Sequence, residues 1–387
     1  MLPRGTAYLG LTHPQQAVTP VRLRVVVGTW RGGTRGLRIS SSVKARGRGA
    51  LGRLGSPLGK LLFRRSLTVV CYHRVVDQVE PGQFPEVVSA TPAMFEQHLE
   101  MMGQDHRFVS LEDVVGWLGG GVPLPSQALL LTFDDGYRDN YDNAYPILRR
   151  RGIPATFFVA TGHMDSGELL WWDLATALIS EAAGATVDLP LLGPVTLSGP
   201  DGRTALARRW VSEAKLLPNT ARLEALDSLA HSLLVTPRPR PPVAMSWDQA
   251  REMIGAGMAF GGHTRSHPIL ARMAPDEARK DIADGLDRIR EELGRAAVAF
   301  AYPNGGIADF DSTHQRALAD LGVVLAFTLV SGPALLGEIE RDPYEVRRVY
   351  VGQGDDPERL RLKLLGLGRL PRRAARDADG GGGQEQS

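Results

Sequence analysis

An α/β fold on a largely parallel sheet is predicted for this chain by three features. From Leu67 onward, short apolar runs of strand type alternate with segments of helical period. The clearest unit is a strand over 128–133, a helix over 143–151 closed by Gly152, and a strand over 155–160. That order implies parallel neighbours joined by a right-handed crossover. The third feature is how the unit's first strand ends: Ala128-Leu129-Leu130-Leu131-Thr132-Phe133 runs directly into Asp134-Asp135-Gly136. In parallel α/β proteins, sites are built at the carboxyl ends of strands.

The other elements follow from local signals. A first strand is expected over 67–72. A helix over 91–102 has Thr91 as N-cap and Pro92 at its first position, where a missing N–H costs nothing. A short helix is expected over 111–118. Residues 164–245 break the rhythm with three helical patterns, over 172–183, 202–216 and 220–234, and the joint Pro237-Arg238-Pro239-Arg240-Pro241-Pro242. This segment reads as an insertion with too little apolar content for a core of its own. Alternation resumes at Ser246, an N-cap, with strands near 258–260, 298–302, 323–328 and 346–351 and helices over 275–293 and 312–321.

Composition sets further bounds. The 387 residues are 43% apolar and 23% charged, in the range of water-soluble globular chains, and no apolar run reaches the length of a membrane span. Of the 45 Lys and Arg, 13 lie in residues 1–65, which hold no Asp or Glu; this leaves 32 basic against 43 acidic residues in an acidic body. The leader, residues 1–65, has Arg-Gly pairs and no sustained period, and is expected to be disordered. It lacks the apolar core of a secretory signal. The expected location is therefore cytoplasmic or peripheral to the inner membrane, with residues 54–65 as a peripheral membrane contact. No nucleic-acid partner is expected, and oligomeric state is not legible. The folded domain is expected over 66–367, with a disordered tail over 368–387. The single Cys71 excludes an internal disulfide and a multi-cysteine zinc site, and reads as a buried structural thiol.

Three stretches carry chemistry. Asp134 and Asp135 can divide the work, one holding a metal and the other taking a proton from water. Phe260-Gly261-Gly262-His263-Thr264-Arg265-Ser266-His267 also follows a strand. Two histidines four apart can face one point and, with a carboxylate, form a ligand set that zinc accepts, as do other divalent transition metals. Two loop histidines bonded to backbone would show the same spacing. In Phe300-Ala301-Tyr302-Pro303-Asn304-Gly305-Gly306 a strand ends in Pro and Gly, so the backbone can pass close to a ligand. Trp171-Trp172 opens the insertion; core packing is the expected role, stacking on a sugar ring the alternative.

Taken in chain order, these stretches resemble the polysaccharide deacetylases of the NodB-homology type, carbohydrate esterase family four. The family's T-F-D-D-G motif stands as Thr132 to Gly136, its H-[ST]-x-x-[HD] motif as His263 to His267, and a variant third motif as Phe300 to Gly305. The resemblance implies a distorted, partly open (β/α) barrel of the polysaccharide deacetylase type with a helical insertion. It implies Asp135, His263 and His267 as metal ligands, Zn2+ foremost, and Asp134 as the general base. A backbone N–H near Tyr137 becomes an oxyanion donor. Tyr137, Tyr302, Pro303, Asn304 and Arg74 become the candidate substrate contacts. Two departures stand out. The third motif's usual Arg is replaced by Ala301, and the usual C-terminal histidine motif is missing. Tyr72-His73-Arg74-Val75 resembles the exopolysaccharide branch, in which an N-terminal Tyr-His pair supplies that histidine. His73 is thereby the candidate general acid, and Arg74 a substitute partner for Asp134.

The implied activity is metal-dependent removal of N-acetyl groups from an N-acetylhexosamine-containing polysaccharide or oligosaccharide, in exopolysaccharide or cell-envelope biosynthesis. The acetylated glycan is the expected partner. A sugar O-deacetylase and a non-catalytic carbohydrate-binding protein on the same scaffold are the alternatives.

Overall fold

The computed structural model describes residues 65–80, 82–184, 186–235 and 241–366. The expectations placed on the leader through residue 64, on most of the Pro-rich joint and on the tail from 367 fall outside the described residues. Among the described residues no helix is long and apolar enough to cross a membrane.

Nine strands form one sheet. They are β1 (Ser66–Tyr72), β2 (Arg107–Val109), β3 (Ala128–Phe133), β4 (Thr156–Val159), β5 (Ala259–Gly262), β6 (Ala299–Ala301), β7 (Leu325–Phe327), β8 (Ala334–Leu335) and β9 (Val349–Tyr350). Their order is β7-β6-β5-β4-β3-β1-β8, with β2 beside β3 and β9 beside β1. Only the short β1–β8 contact is antiparallel. Phe327 of β7 bridges in parallel to Val346, while Val349 and Tyr350 pair with Val70 and Cys71 of β1. Residues 346–350 thus reach from one edge of the sheet to the other and curl it into a partly open barrel.

Period-two alternation divides the strands between two cores. Val70, Tyr72, Leu129, Leu131 and Phe133 face the surrounding helices, among them Pro92–Asp105, Trp247–Gly255 and Pro275–Leu293. Leu67, Val69, Leu130, Phe158, Ala299, Ala301 and Phe327 fill the inside of the barrel. Small residues are needed where the strands crowd inward. A Cβ on Gly261 would lie 2.5 Å from the Phe158 ring and 2.8 Å from the Ala299 carbonyl. The same alternation carries past the strand ends, so Cys71 and His73 follow Leu67 and Val69, and Thr132 and Asp134 follow Leu130.

Helix starts follow the expected chemistry. Thr91 accepts from the Met94 N–H, and Ser246 forms a reciprocal cap with Gln249. Gly152 closes its helix with φ 61. That helix, Tyr145–Arg151, is shorter than its pattern suggested, because a π turn over Asn140–Ala144 precedes it. The turn is anchored to the chain after β1: Asn140 Nδ2 donates to the His73 carbonyl at 2.6 Å and Asn143 Nδ2 to that of Val75 at 2.7 Å. β2, the helix Pro357–Leu364 and a hairpin in the insertion (Thr186–Leu189 with Gly193–Thr196) gave no clear sequence signal. Strands of two to four residues are too short to establish a period.

The insertion corrects one expectation. It has a core of its own, with Ala207, Trp210, Leu178, Ile179 and Leu229 buried together. Large rings make up in area what the segment lacks in number of apolar residues. This core continues into the barrel through Tyr137, Phe84 and Ala160.

Candidate active site

Asp134 extends β3 by donating its N–H to the Tyr72 carbonyl at 3.0 Å, which keeps its side chain on the inner face. The chain then reverses. Asp135 has φ 77 and Gly136 φ 83, two consecutive left-handed residues. For an aspartate this is an uncommon conformation that the surroundings must enforce. Its result is that both neighbouring carboxylates line one cavity of about 190 Å³ at the carboxyl ends of the strands.

The end of β5 supplies the facing wall. His263 donates its N–H to the Val159 carbonyl, prolonging β5, and Thr264 and His267 then take φ 68 and 53. Asp281, in the helix Pro275–Leu293, clamps the loop between them, accepting from Arg265 N at 2.9 Å, Ser266 N at 3.1 Å and Ser266 Oγ at 2.6 Å. The loop brings His263 Nε2 and His267 Nε2 to 3.4 and 3.3 Å from Asp135 Oδ1, and to 3.1 Å from each other. A divalent ion with ~2.1 Å bonds and tetrahedral geometry holds its ligand atoms about 3.4 Å apart, so the spacing fits one. The His263 Nδ1–H donates to the Ala301 carbonyl at 2.6 Å, which leaves the Nε2 lone pair facing Asp135.

Asp135 itself supports the fit. It is 1% exposed, yet neither carboxylate oxygen has a hydrogen-bond partner among the described residues. Burial alone would raise its pKa, but the imidazoles of His73, His263 and His267 outweigh burial and hold the carboxyl well below the usual range. A buried carboxylate faced by imidazole nitrogens at 3.3 and 3.4 Å, beyond good hydrogen-bond geometry, suits a cation between them. Burial also holds His267 below its ordinary pKa, which favours the neutral, ligating imidazole. The Trp172 ring stands edge-on to His267 with centroids 4.6 Å apart. Trp172 therefore braces His267 while it packs in the insertion core.

The partner of Asp134 is Arg348, which sequence reasoning did not single out. Its two terminal nitrogens reach the two Asp134 oxygens at 2.7 Å each, a bidentate pair with both residues buried. Arg348 Nε donates to the Thr328 carbonyl at 2.9 Å, fixing the plane of the guanidinium. Burial would raise the Asp134 pKa, and the Arg348 charge reverses that to keep the carboxyl below its ordinary value. Cys71 adds a third contact, its Sγ donating to Asp134 Oδ2 at 3.4 Å. Burial pushes this thiol well up, so it remains a neutral donor. Cys71, His73 and Asp134 also lie close enough to suggest a second metal cluster, but Arg348 already occupies both oxygens of that carboxylate.

His73 lines the same cavity, with Nε2 4.0 Å from Asp135 Oδ2 and its ring edge-on to Tyr350. Four of the five candidate substrate contacts have side chains outside the cavity wall. Arg74 points away from Asp134: it pairs with Asp139 at 2.8 Å and covers the Tyr137 ring. Residues 73 and 74 take opposite faces of the extended chain, so Arg74 cannot follow His73 inward. Tyr302 is buried, stacked on Phe310 at 4.0 Å and bonded to the Tyr344 carbonyl. Pro303 is buried outside the cavity wall, and only Asn304 of that motif reaches the wall. The Tyr137 phenol is buried against Asp173 at 2.7 Å, so its side chain serves packing.

Residues 121–193 and 206–326, about half of the chain, match the sequence profile of the family described as polysaccharide deacetylase. The chain belongs to the polysaccharide deacetylase family. The profile takes in Asp134, Asp135, His263 and His267 but stops short of His73 and Arg348. Among curated relatives of this deacetylase family, the chain is 34% identical over 97 residues to a poly-beta-1,6-N-acetyl-D-glucosamine N-deacetylase of Escherichia coli (strain K12), covering 25% of this chain and 14% of that protein. It is 34% identical over 77 residues to the protein of the same name from Staphylococcus aureus (strain MSSA476), covering 20% and 26% of the two chains. The matched stretches thus span about a seventh and a quarter of those relatives. A Streptococcus pyogenes deacetylase, PplD, solved in complex with acetate, superposes with a TM-score of 0.52 at 21% identity, covering 77% of this chain and 98% of that one. That likeness shows the shared deacetylase fold.

Proposed function

We propose that the chain is a divalent-cation-dependent deacetylase that removes N-acetyl groups from an N-acetylhexosamine-containing exopolysaccharide. The convergence of Asp135, His263 and His267 beside the Arg348-held Asp134 carries this reading. The names of the curated relatives support an N-acetylglucosamine polymer as the substrate.

Asp135, His263 and His267 would hold the cation, with Zn2+ the best match to two imidazoles and one carboxylate. Such an ion supplies Lewis-acid polarisation of the acyl oxygen and of the attacking water. The chain's own groups do the rest. Asp134, kept ionised by Arg348, accepts the proton of the water that attacks the acetamide carbon. Arg348 holds the carboxylate in one orientation and leaves the remaining oxygen lone pairs for that proton. Tyr137 pairs with Ala244 in a single antiparallel bridge flanked by the bonds from Arg138 N to Val243 O and from Met245 N to Gly136 O. In that type of pair the Tyr137 N–H points away from Ala244, which supports its role as a donor to the developing oxyanion. His73, on the cavity wall, gives a proton to the leaving amine.

The non-catalytic alternative rests on the missing third-motif Arg and the missing C-terminal histidine motif. The pairing of Arg348, just ahead of β9, with Asp134 and the place of His73 on the cavity wall support the catalytic reading instead. The deciding measurement is acetate release from an N-acetylglucosamine oligomer before chelation, after it, and after Zn2+ is restored. Chelation is expected to abolish release and Zn2+ to restore it; no release under any divalent metal would sink the reading. An O-acetylated oligomer run in parallel tests ester cleavage. A His73→Ala protein is expected to bind cation with unchanged stoichiometry and to release acetate about 10²–10⁴-fold more slowly. An unchanged rate would remove His73 from the scheme.

A further inference from the structure

Lys215 caps the C-terminal end of the insertion helix Pro200–Ala214 and lines the catalytic cavity together with Trp172 and Glu86. A cation at this position offsets the negative end of a helix, which is reason enough for an exposed lysine. Lys215, however, is half-buried, and burial lowers its pKa, so its ammonium is poorly hydrated where it stands. No hydrogen bond or ion pair reaches it among the described residues.

The carboxylates around it have other partners. Glu86 pairs with Arg208 at 2.8 Å; Asp309 accepts the neutral Gly306 N–H at 2.8 Å and is the foremost opposite charge felt by Lys215, without an ion pair between them. Asp134 takes both arms of Arg348. Asp135 faces the two histidines and the cation they imply. In the adjoining hollow of about 550 Å³, Arg359 and Lys363 both turn to Asp355. With Glu86–Arg208 and Asp134–Arg348 cancelled, Lys215 and a divalent cation held by Asp135 and the histidines would outweigh the two remaining carboxylates, Asp135 and Asp309, and leave the loaded cavity net cationic. A neutral amino-sugar chain offers such a lysine hydroxyl and acetamide oxygens but no counter-charge.

We propose that Lys215 is a specificity residue that pairs with an anionic group, a carboxylate or a phosphate, carried on or next to the sugar being deacetylated. This inference rests on the deacetylase reading of the same cavity. The residue comes from the insertion, so the selectivity belongs to the segment laid over the barrel and not to the barrel's own chemistry.

The test compares three oligomers: neutral N-acetylglucosamine, the same chain with a hexuronate neighbour, and the same chain with a phosphate neighbour. Acetate-release kcat/KM is measured for the wild type, Lys215→Met and Lys215→Arg, and calorimetric binding is measured on Asp134→Asn protein with and without Lys215→Met. The wild type is expected to favour one acid-bearing oligomer over the neutral one by about tenfold or more, a charge-assisted hydrogen bond's worth. High salt should shrink the preference. Lys215→Met should erase it and Lys215→Arg should keep most of it; which acid is favoured identifies the source of the anion. No preference in the wild type, or an equal loss on all three oligomers in Lys215→Met, overturns the proposal. Acetate release without charge preference overturns it while leaving the deacetylase reading intact. Charge-dependent binding without acetate release from any oligomer does the reverse.

Discussion

An Asp134→Asn protein is expected to keep its cation and lose turnover by about 10²–10⁴-fold, the usual contribution of a positioned base. The proposed ligands Asp135, His263 and His267 are untouched, so cation stoichiometry by elemental analysis should match the wild type. Asparagine also changes the local balance of charge. Its amide nitrogen would face one Arg348 donor, and the guanidinium would lose its counter-charge in a buried site. Removing one member of a buried pair costs about 3–5 kcal/mol, so a lower denaturation midpoint should accompany the lost rate. Wild-type turnover in a folded, cation-loaded Asp134→Asn protein would exclude Asp134 as the base.

Arg348→Ala is the second large effect. It leaves Asp134 buried and ionised with only the Cys71 thiol and its remaining neighbours around it. The same ~3–5 kcal/mol loss of stability is expected. Turnover should fall by two orders of magnitude or more, because a base without a fixed orientation is out of position for most of the time. Arg348→Lys should recover part of the stability and little of the rate, since an ammonium cannot engage both oxygens in one plane. A double-mutant cycle with Asp134→Asn and Arg348→Met checks the assignment. The double variant should be less destabilised than the sum of the singles, because no buried charge is left alone. Strict additivity, measured by chemical denaturation, would mean that the pair is not coupled.

Much of the site was legible because its parts are local in sequence. An apolar strand ending in Asp134-Asp135-Gly136 marks a strand-end turn with two carboxylates, and His263 and His267 lie on one short loop after β5. Arg348 was harder. The expected strand over 346–351 alternates Val346, Arg348 and Tyr350 with Arg347, Val349 and Val351. Val346 packs inside the barrel, while Val349 and Val351 pack against the helices. The alternation thus separates Arg347 from Arg348, but with valines on both faces it does not say which face turns inward. Arg74 failed for the same reason: proximity to His73 in sequence implied proximity to Asp134, whereas consecutive residues of an extended chain point opposite ways. Lys215 had no signal at all, since a lysine at a helix end is the commonest of surface residues.

The sequence by itself determined the strand–helix order, the helix caps, the paired acids and the histidine loop, because each is written within about ten neighbouring residues. Only the tertiary structure decided which groups meet across the barrel. The segment over 346–350 joins β7 to β1 and so carries Arg348 to Asp134, 214 positions away in the chain. The insertion folds its own core over the strand ends and so brings Trp172 to His267 and Lys215 into the cavity. Periodicity and capping act between near neighbours, whereas barrel closure and the docking of an insertion are set by the packing of the whole chain.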